Sequence, residues 1–299
     1  MPDPGPRGPA LTGVLAILGP GSLGLSAAQW AAECGLEVRL LGRDPDHARQ
    51  GLREVERRWE TAQQKGDLAP EARKQALRRL QPHGFGPEAL QGVAILLEAL
   101  PEDPGLKADA LAAAAGWGGR ELLLLSGTSA LPISGLGEAA GLRQRLLGFH
   151  LFVPVPRMAV VEIAIPTGIP EALTDRARAF GAALRKRVVV VKDQPGFAAA
   201  RMALAQGLEA MRLLEAGGPS AEDLDALMTL GYGHPVGPLE LSDRVGLDLR
   251  LRIAEGLFLA SGDPRFEPPA LLRDLVARGD TGRKARRGFY SWDSDGRRL

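Results

Sequence analysis

Cysteine is almost missing: Cys34 is the only one in 299 residues, which excludes an intramolecular disulfide and argues against a disulfide-stapled secreted scaffold. Aromatic residues make up only 5%, and the four histidines are scattered without metal-ligand spacing. Neither charge sign is in excess. With 37 basic residues against 36 acidic ones there is no electrostatic footprint for DNA or RNA, so any nucleotide must be held by local geometry. Uncharged runs long enough to span a bilayer are lacking too, with one exception from Leu11 to Ala32. Pro20 between Gly19 and Gly21 would break a spanning helix there, where lipid offers no substitute hydrogen bonds. The leader, with Asp3 and Arg7, has no basic n-region of a signal peptide, and the expected location is the cytoplasm.

What is present is ordinary globular material, 45% hydrophobic and 24% charged, at a length that suggests two domains. Residues 1–10 are rich in Pro and Gly and are expected to form a loose tail. Val14–Leu18 is a short apolar run between glycines and predicts a buried strand; a helix over Leu23–Cys34 and a strand over Val38–Leu41 complete a βαβ unit. Cys34 is expected as a small core residue. A mixed-charge helical hairpin is predicted over 45–80, with its break near Gly66. Further strands are expected at Val93–Leu97, Leu122–Leu125, Leu146–Phe152, Val160–Ile165 and Val188–Val191, with an Ala-rich helix around Leu106–Ala115. After Pro195-Gly196 the strand signal stops. Helices are expected at Phe197–Glu215, from Ser220 onward, over Leu239–Leu259 and over Ala270–Arg278. The boundary falls near residue 194: an α/β domain over 11–194, then an all-α domain over 195–299.

Gly19-Pro20-Gly21-Ser22-Leu23-Gly24 is a G-x-G-x-x-G loop that follows a strand and opens a helix. Gly19 serves the tight turn, Gly21 admits a pyrophosphate to the backbone N–H groups of Ser22 and Leu23, and Gly24 lets helix and strand approach. The second strand ends in Gly42-Arg43, where an NAD site usually has Asp or Glu for the ribose hydroxyls. The missing carboxylate and the guanidinium of Arg43 lean toward the 2′-phosphate of NADP. Asp44 bending in to serve the ribose of NAD is the alternative, and both cofactors stay open.

Several segments then follow in order: Leu97-Glu98-Ala99-Leu100-Pro101-Glu102, Ser126-Gly127-Thr128-Ser129-Ala130-Leu131-Pro132-Ile133, Gly148-Phe149-His150-Leu151-Phe152-Val153-Pro154, and Met158 to Glu162. With Lys192 to Phe197, Gly233 to Pro238 and Gly288-Phe289-Tyr290, the chain from about 12 to 292 resembles the 3-hydroxyacyl-CoA dehydrogenase family, which includes bacterial 3-hydroxybutyryl-CoA dehydrogenases. The resemblance implies a Rossmann-like domain followed by a helical domain that walls the substrate cleft and mediates dimerisation. It implies His150 as the catalytic histidine, Glu162 as its partner and Ser129 as a contact to the substrate oxygen. Glu102 and Lys107 are implied to line the nicotinamide side of the cofactor site, with Gly127 beside them. The chemistry agrees on its own terms, because removing a hydroxyl proton near neutral pH suits an imidazole, and the imidazolium formed needs a carboxylate.

Three family asparagines are missing, with Gly127, Val153 and Ala200 in their places. In the family the first and third lie near the nicotinamide ribose and the substrate oxygen, so their loss removes hydrogen bonds close to the chemistry, and the loss of all three points to altered specificity. The expected activity is NAD(P)-dependent interconversion of a short 3-hydroxyacyl-CoA and its 3-oxo product. A free 3-hydroxy or polyol acid as substrate, or a catalytically weak dinucleotide-binding role, are the alternatives. Arg53, Arg57, Arg58 and Lys65 in the hairpin are candidates for coenzyme A phosphates, against the plainer reading of a solvated face. His47 and His83 are read as exposed and His234 as structural, none with a function.

Overall fold

The computed structural model describes residues 13–299, and the tail at 1–10 lies outside the described residues. The chain divides into two compact units, the first ending at Gln194 and the second beginning at Pro195.

The first unit runs β1 (Val14–Leu18), α1 (Ser22–Glu33), β2 (Val38–Gly42), α2 (Pro45–Gln64), α3 (Pro70–Arg79), β3 (Leu80–Gly84), β4 (Val93–Glu98) and α4 (Pro104–Gly118). It continues through β5 (Leu123–Ser126), α5 (Ile133–Ala139), β6 (Leu146–Leu151), β7 (Val160–Ile165), α6 (Glu171–Ala183) and β8 (Arg187–Lys192). The strands form one sheet in the order β3-β2-β1-β4-β5-β6-β7-β8. All neighbours are parallel except β6 and β7. The apolar runs VLAIL, VAILLE and LLLS are almost wholly buried, as parallel strands covered on both faces require. The order 3-2-1-4-5-6 is that of a Rossmann-like sheet, and it reverses direction between β1 and β4. Beyond the carboxyl ends of those two strands a ligand is expected.

Two sequence expectations need correction in this unit. The hairpin predicted over 45–80 ends its second helix at Arg79, and Leu80 opens β3, which pairs in parallel with β2 from Val38↔Leu80 to Gly42↔Gly84. The segment LQPHG has no β-branched residue, and its Pro82 is tolerated only because β3 is an edge strand. Cys34 is half-buried at the end of α1 rather than in the core, and burial pushes its thiol up to about 11.

α2 starts sharply because Asp44 accepts a hydrogen bond from His47 N at 2.7 Å and Pro45 occupies the first helical position. Its buried residues Ala48, Gly51, Val55 and Trp59 recur every three or four positions and face the sheet core.

The second unit is helical: α7 (Ala199–Glu215), α8 (Ala221–Ala226), α9 (Pro238–Val245), α10 (Leu247–Ser261) and α11 (Ala270–Ala277). The single stretch expected over Leu239–Leu259 is two helices, because Gly246 at φ +103° turns the backbone out of the helical region. Leu204, Leu208, Met211, Leu239, Leu257 and Leu272 form its core. Two buried carboxylates tie down the C-terminal segment. Asp243 accepts from Phe289 N, Tyr290 N and Trp292 Nε1, each at 3.0 Å, while Asp225 accepts from Leu239 N, Glu240 N and Tyr290 OH at 2.8 Å. Burial holds the Asp243 carboxyl above the usual carboxylate range despite those bonds. Among the described residues no helix is long and apolar enough to cross a membrane.

Candidate active site

The glycine loop sits at the carboxyl end of β1, on the reversal point of the sheet. Gly19 has φ +105°, and its N–H donates to Leu41 O at 2.9 Å, joining the loop to β2. A Cβ on Gly24 would lie 1.9 Å from Gly19 O, so helix and loop touch at a distance only glycine allows. A Cβ on Gly21 would meet nothing within 4 Å, because Gly21 faces a cavity of about 810 Å³. The cavity is also lined by Gly19, Ser22, Leu23, Arg43, Leu100 and Pro101, and its size suits a small-molecule ligand. No side chain caps the first turn of α1 and no acidic residue lies in it, so its N–H groups and dipole fit a pyrophosphate.

At the end of β2, the Arg43 side chain is 80% exposed, with Nε 3.2 Å from Asp44 Oδ2. Asp44 is occupied as the cap of α2, and the hydrogen bond from His47 N, then Arg43, hold its carboxyl below the usual range. Turning Asp44 toward a ribose would break that cap. His47, read from sequence as exposed and functionless, is half-buried and lines the cavity. His83 is half-buried on β3, with burial lowering its pKa. His234 N donates to Met228 O at 3.1 Å within the second unit.

The carboxyl ends of β4 and β5 share a buried polar network. Lys107 is 1% exposed, and its Nζ lies 2.7 Å from Glu98 Oε1, 3.0 Å from Leu100 O and 3.3 Å from Glu102 Oε2. Glu98, fully buried, also accepts from Leu100 N at 2.6 Å and from Ser126 Oγ at 2.7 Å. Glu102 accepts from Thr128 Oγ1 and, at 3.2 Å, from Ser129 N, so it holds the loop that carries the exposed Ser129. At the far end of that loop Asp193 accepts from Ile133 N and Ser134 N at 2.7 Å, capping α5. Sequence reading assigned nothing to Glu98 or Asp193. The available signal was a carboxylate closing the apolar run VAILLE, which in a buried strand requires a partner. Gly127 is buried, and a Cβ there would lie 2.8 Å from Leu23 Cδ2 and 2.9 Å from Glu98 O. An asparagine at 127 therefore does not fit without a backbone shift.

His150 and Glu162 are brought together by strand pairing. In the antiparallel β6–β7 ladder they are direct partners, so both side chains leave the same face of the sheet. His150 Nδ1 lies 2.8 Å from Glu162 Oε2, and the residues are 8% and 4% exposed. A buried carboxylate on an apolar strand is compensated here by a ring nitrogen, which fixes the ring orientation and tautomer. β5 pairs Ser126 with Gly148 of the parallel β6, so Ser129 and His150 both follow one registered pair toward the strand ends. Of the helix cations, Arg57 and Arg58 both pair with Glu54, at 2.5 and 3.1 Å, while Arg53 and Lys65 are exposed. Val153 is 48% exposed, and Ala200 lies on α7.

A Rossmann-like sheet with a glycine-loop cavity and a His–Glu pair on the same sheet defines the class of dinucleotide-dependent oxidoreductases. Comparison with known proteins narrows that class. The 3-hydroxyacyl-CoA dehydrogenase NAD binding domain matches residues 14–194, and the C-terminal domain of the same enzymes matches 196–292. The chain is 32% identical to a probable 3-hydroxybutyryl-CoA dehydrogenase of Bacillus subtilis, over 93% of this chain and 96% of that one. It is 31% identical to the mitochondrial hydroxyacyl-coenzyme A dehydrogenase of Sus scrofa, over 92% and 90%. The crystal structure of (S)-3-hydroxybutyryl-CoA dehydrogenase from Ralstonia eutropha superposes with a TM-score of 0.89 at 32% identity, over 94% of this chain and 99% of that one. The chain belongs to the 3-hydroxyacyl-CoA dehydrogenase family, and its first unit is an NAD-binding domain of that family.

Proposed function

We propose that this protein interconverts a short-chain 3-hydroxyacyl-CoA and the corresponding 3-oxoacyl-CoA. The carrying observation is the His150–Glu162 contact at 2.8 Å on the sheet that also presents the glycine loop. Glycines 19, 21 and 24 with Ser22 and Leu23 would hold the pyrophosphate of the dinucleotide. When bound, the nicotinamide accepts hydride from the carbinol carbon in one direction and returns it in the other. Glu162 keeps the proton of His150 on Nδ1, so Nε2 takes the proton from the substrate hydroxyl. The carboxylate then stabilises the imidazolium, which returns that proton to the oxygen in the reverse direction. Ser129 would donate a hydrogen bond to the same oxygen. On the nicotinamide side Glu102 and Gly127 line the site, and Lys107, enclosed between Glu98 and Glu102, supports Glu102.

Assay of the purified chain with acetoacetyl-CoA and with free acetoacetate, following the absorbance of both reduced nicotinamides, is expected to give turnover on the thioester alone. Turnover confined to the free acid would transfer the reading to hydroxy acids. Cofactor binding without turnover, unaffected by His150→Ala, would leave only a dinucleotide-binding role.

The cofactor carries a second reading. Gly42 presents no carboxylate, and Arg43 is exposed on the cavity wall, which together favour NADP(H) over NAD(H). The protein is also proposed to be a homodimer formed through its C-terminal helices. Met202, Leu230 and Leu259, on or between those helices, are 72%, 87% and 89% exposed, apolar surface that a second copy would cover. Sedimentation equilibrium is expected to return the mass of two chains, and substitution of Leu259 by Glu to shift it toward one.

A further inference from the structure

We infer that His47 and Arg43 together form a subsite for the 2′-phosphate of NADP(H), so that the first turn of α2 sets cofactor choice along with the last residue of β2. The inference rests on the cavity being the dinucleotide site. It begins with what occupies the place of the usual ribose-binding carboxylate. A Cβ built on Gly42 would lie 2.6 Å from Ala48 N, 2.8 Å from Asp44 O and 3.1 Å from the carbonyl carbon of His47. The first turn of α2 is thus folded directly onto Gly42. The same close approach that shuts out a carboxylate delivers His47 to the cavity wall.

Asp44 bonds to the side chain of Arg43 and to the backbone of His47. Its Oδ1 accepts from His47 N at 2.7 Å and its Oδ2 from Arg43 Nε at 3.2 Å. Neither terminal nitrogen of Arg43 has a partner among the described residues, which leaves the guanidinium edge suited to two phosphate oxygens. On His47, Nδ1 is closed to solvent and has no partner, so Nε2 is the open ring nitrogen. The neutral tautomer that avoids a buried, unpaired N–H carries its proton on Nε2, and the protonated ring donates there as well. In either state the ring offers a donor at the border of the cavity that Arg43 also lines. Two carboxylates oppose an added anion here, Asp109 on the cavity wall and Asp44 beside it. Asp44 is already engaged through both oxygens. A 2′-phosphate is close to a dianion near neutral pH, and a guanidinium with an imidazole donor binds it through charge-assisted hydrogen bonds that a neutral ribose hydroxyl forms only weakly.

Calorimetric titration of the full chain with 2′,5′-ADP and with ADP tests the subsite without turnover. The 2′-phosphorylated ligand is expected to bind at least ~10-fold more tightly. Arg43→Ala and His47→Ala should each reduce that preference about fivefold, with ADP affinity within about twofold of the starting value. His47→Gln, which keeps an N–H donor, should retain more of the preference than His47→Ala. Equal affinity for the two ligands overturns the subsite. So does a His47→Ala variant that weakens both ligands alike, which would assign the ring to helix packing, or one that alters neither. If neither ligand binds, the dinucleotide reading of the cavity fails with it.

Discussion

Glu162→Gln is expected to lower kcat by ~10²–10⁴-fold, the range of a lost general acid–base function, with dinucleotide affinity held within about twofold. The expectation follows from the Nδ1–Oε2 contact at 2.8 Å and from how little of either side chain meets water. A carboxylate accepts a hydrogen bond from Nδ1–H, holding that proton on Nδ1 and leaving Nε2 basic. A glutamine amide in the same place presents either N–H₂, which drives the proton to Nε2, or a neutral carbonyl, which no longer balances the imidazolium. Neither arrangement takes a proton from an alcohol efficiently. His150→Ala should fall in the same range, and the double substitution should cost little more than either single one, since the two groups act as a unit. Stopped-flow single turnover together with a binding titration separates chemistry from affinity. Parallel loss of turnover and cofactor binding would make Glu162 a structural residue.

The second large effect is on stability. Lys107→Met should cost ~3–5 kcal/mol, because it leaves the fully buried Glu98 without its ammonium partner. The charge cannot relax into water, since Glu98 and Ser126 are both at 0% exposure. Adding Glu98→Leu to Lys107→Met removes the uncompensated charge and should restore a substantial part of the loss. Guanidinium unfolding followed by tryptophan fluorescence measures both variants; a cost below ~1 kcal/mol for the single substitution would show that the pair is not the anchor described. Turnover of the folded Lys107→Met protein should also drop, since Glu102 loses its fixed neighbour and with it the hold on Ser129 N.

How much of this was legible in the sequence varies with how local the signal is. The glycine loop was legible because its requirements are backbone requirements: a positive φ at Gly19 and a contact of helix on loop at Gly24. The fold class followed from the apolar runs of β1, β4 and β5 and from their disappearance after residue 194. Edge strand β3 was hidden, because LQPHG earns its conformation from pairing with β2 and not from its own composition. The break at Gly246 was overlooked because apolar spacing continues across it. His150 and Glu162, twelve residues apart, carry no joint signal of their own, and only motif resemblance linked them. The Glu98–Lys107–Ser126 cluster joins two strands and a helix, so nothing short of the assembled sheet reveals it. The partial burial of His47 was missed for the same reason. Its neighbours in sequence are polar, while the cavity it borders is also lined by Leu41 and Phe85.

The antiparallel β6–β7 pairing has an evolutionary corollary. Ladder partnership sets the His150–Glu162 contact, and the connector between Leu151 and Val160 is itself tied down: Val155 N donates to Ser26 Oγ at 2.9 Å, Lys186 Nζ donates to Met158 O at 2.7 Å, and the Phe152 ring centroid lies 4.5 Å from that of His150. A slip of a single residue along the ladder would send imidazole and carboxylate to opposite sides of an otherwise intact sheet. Insertions are therefore expected to be eliminated both inside either strand and in the connector that packs on the histidine ring.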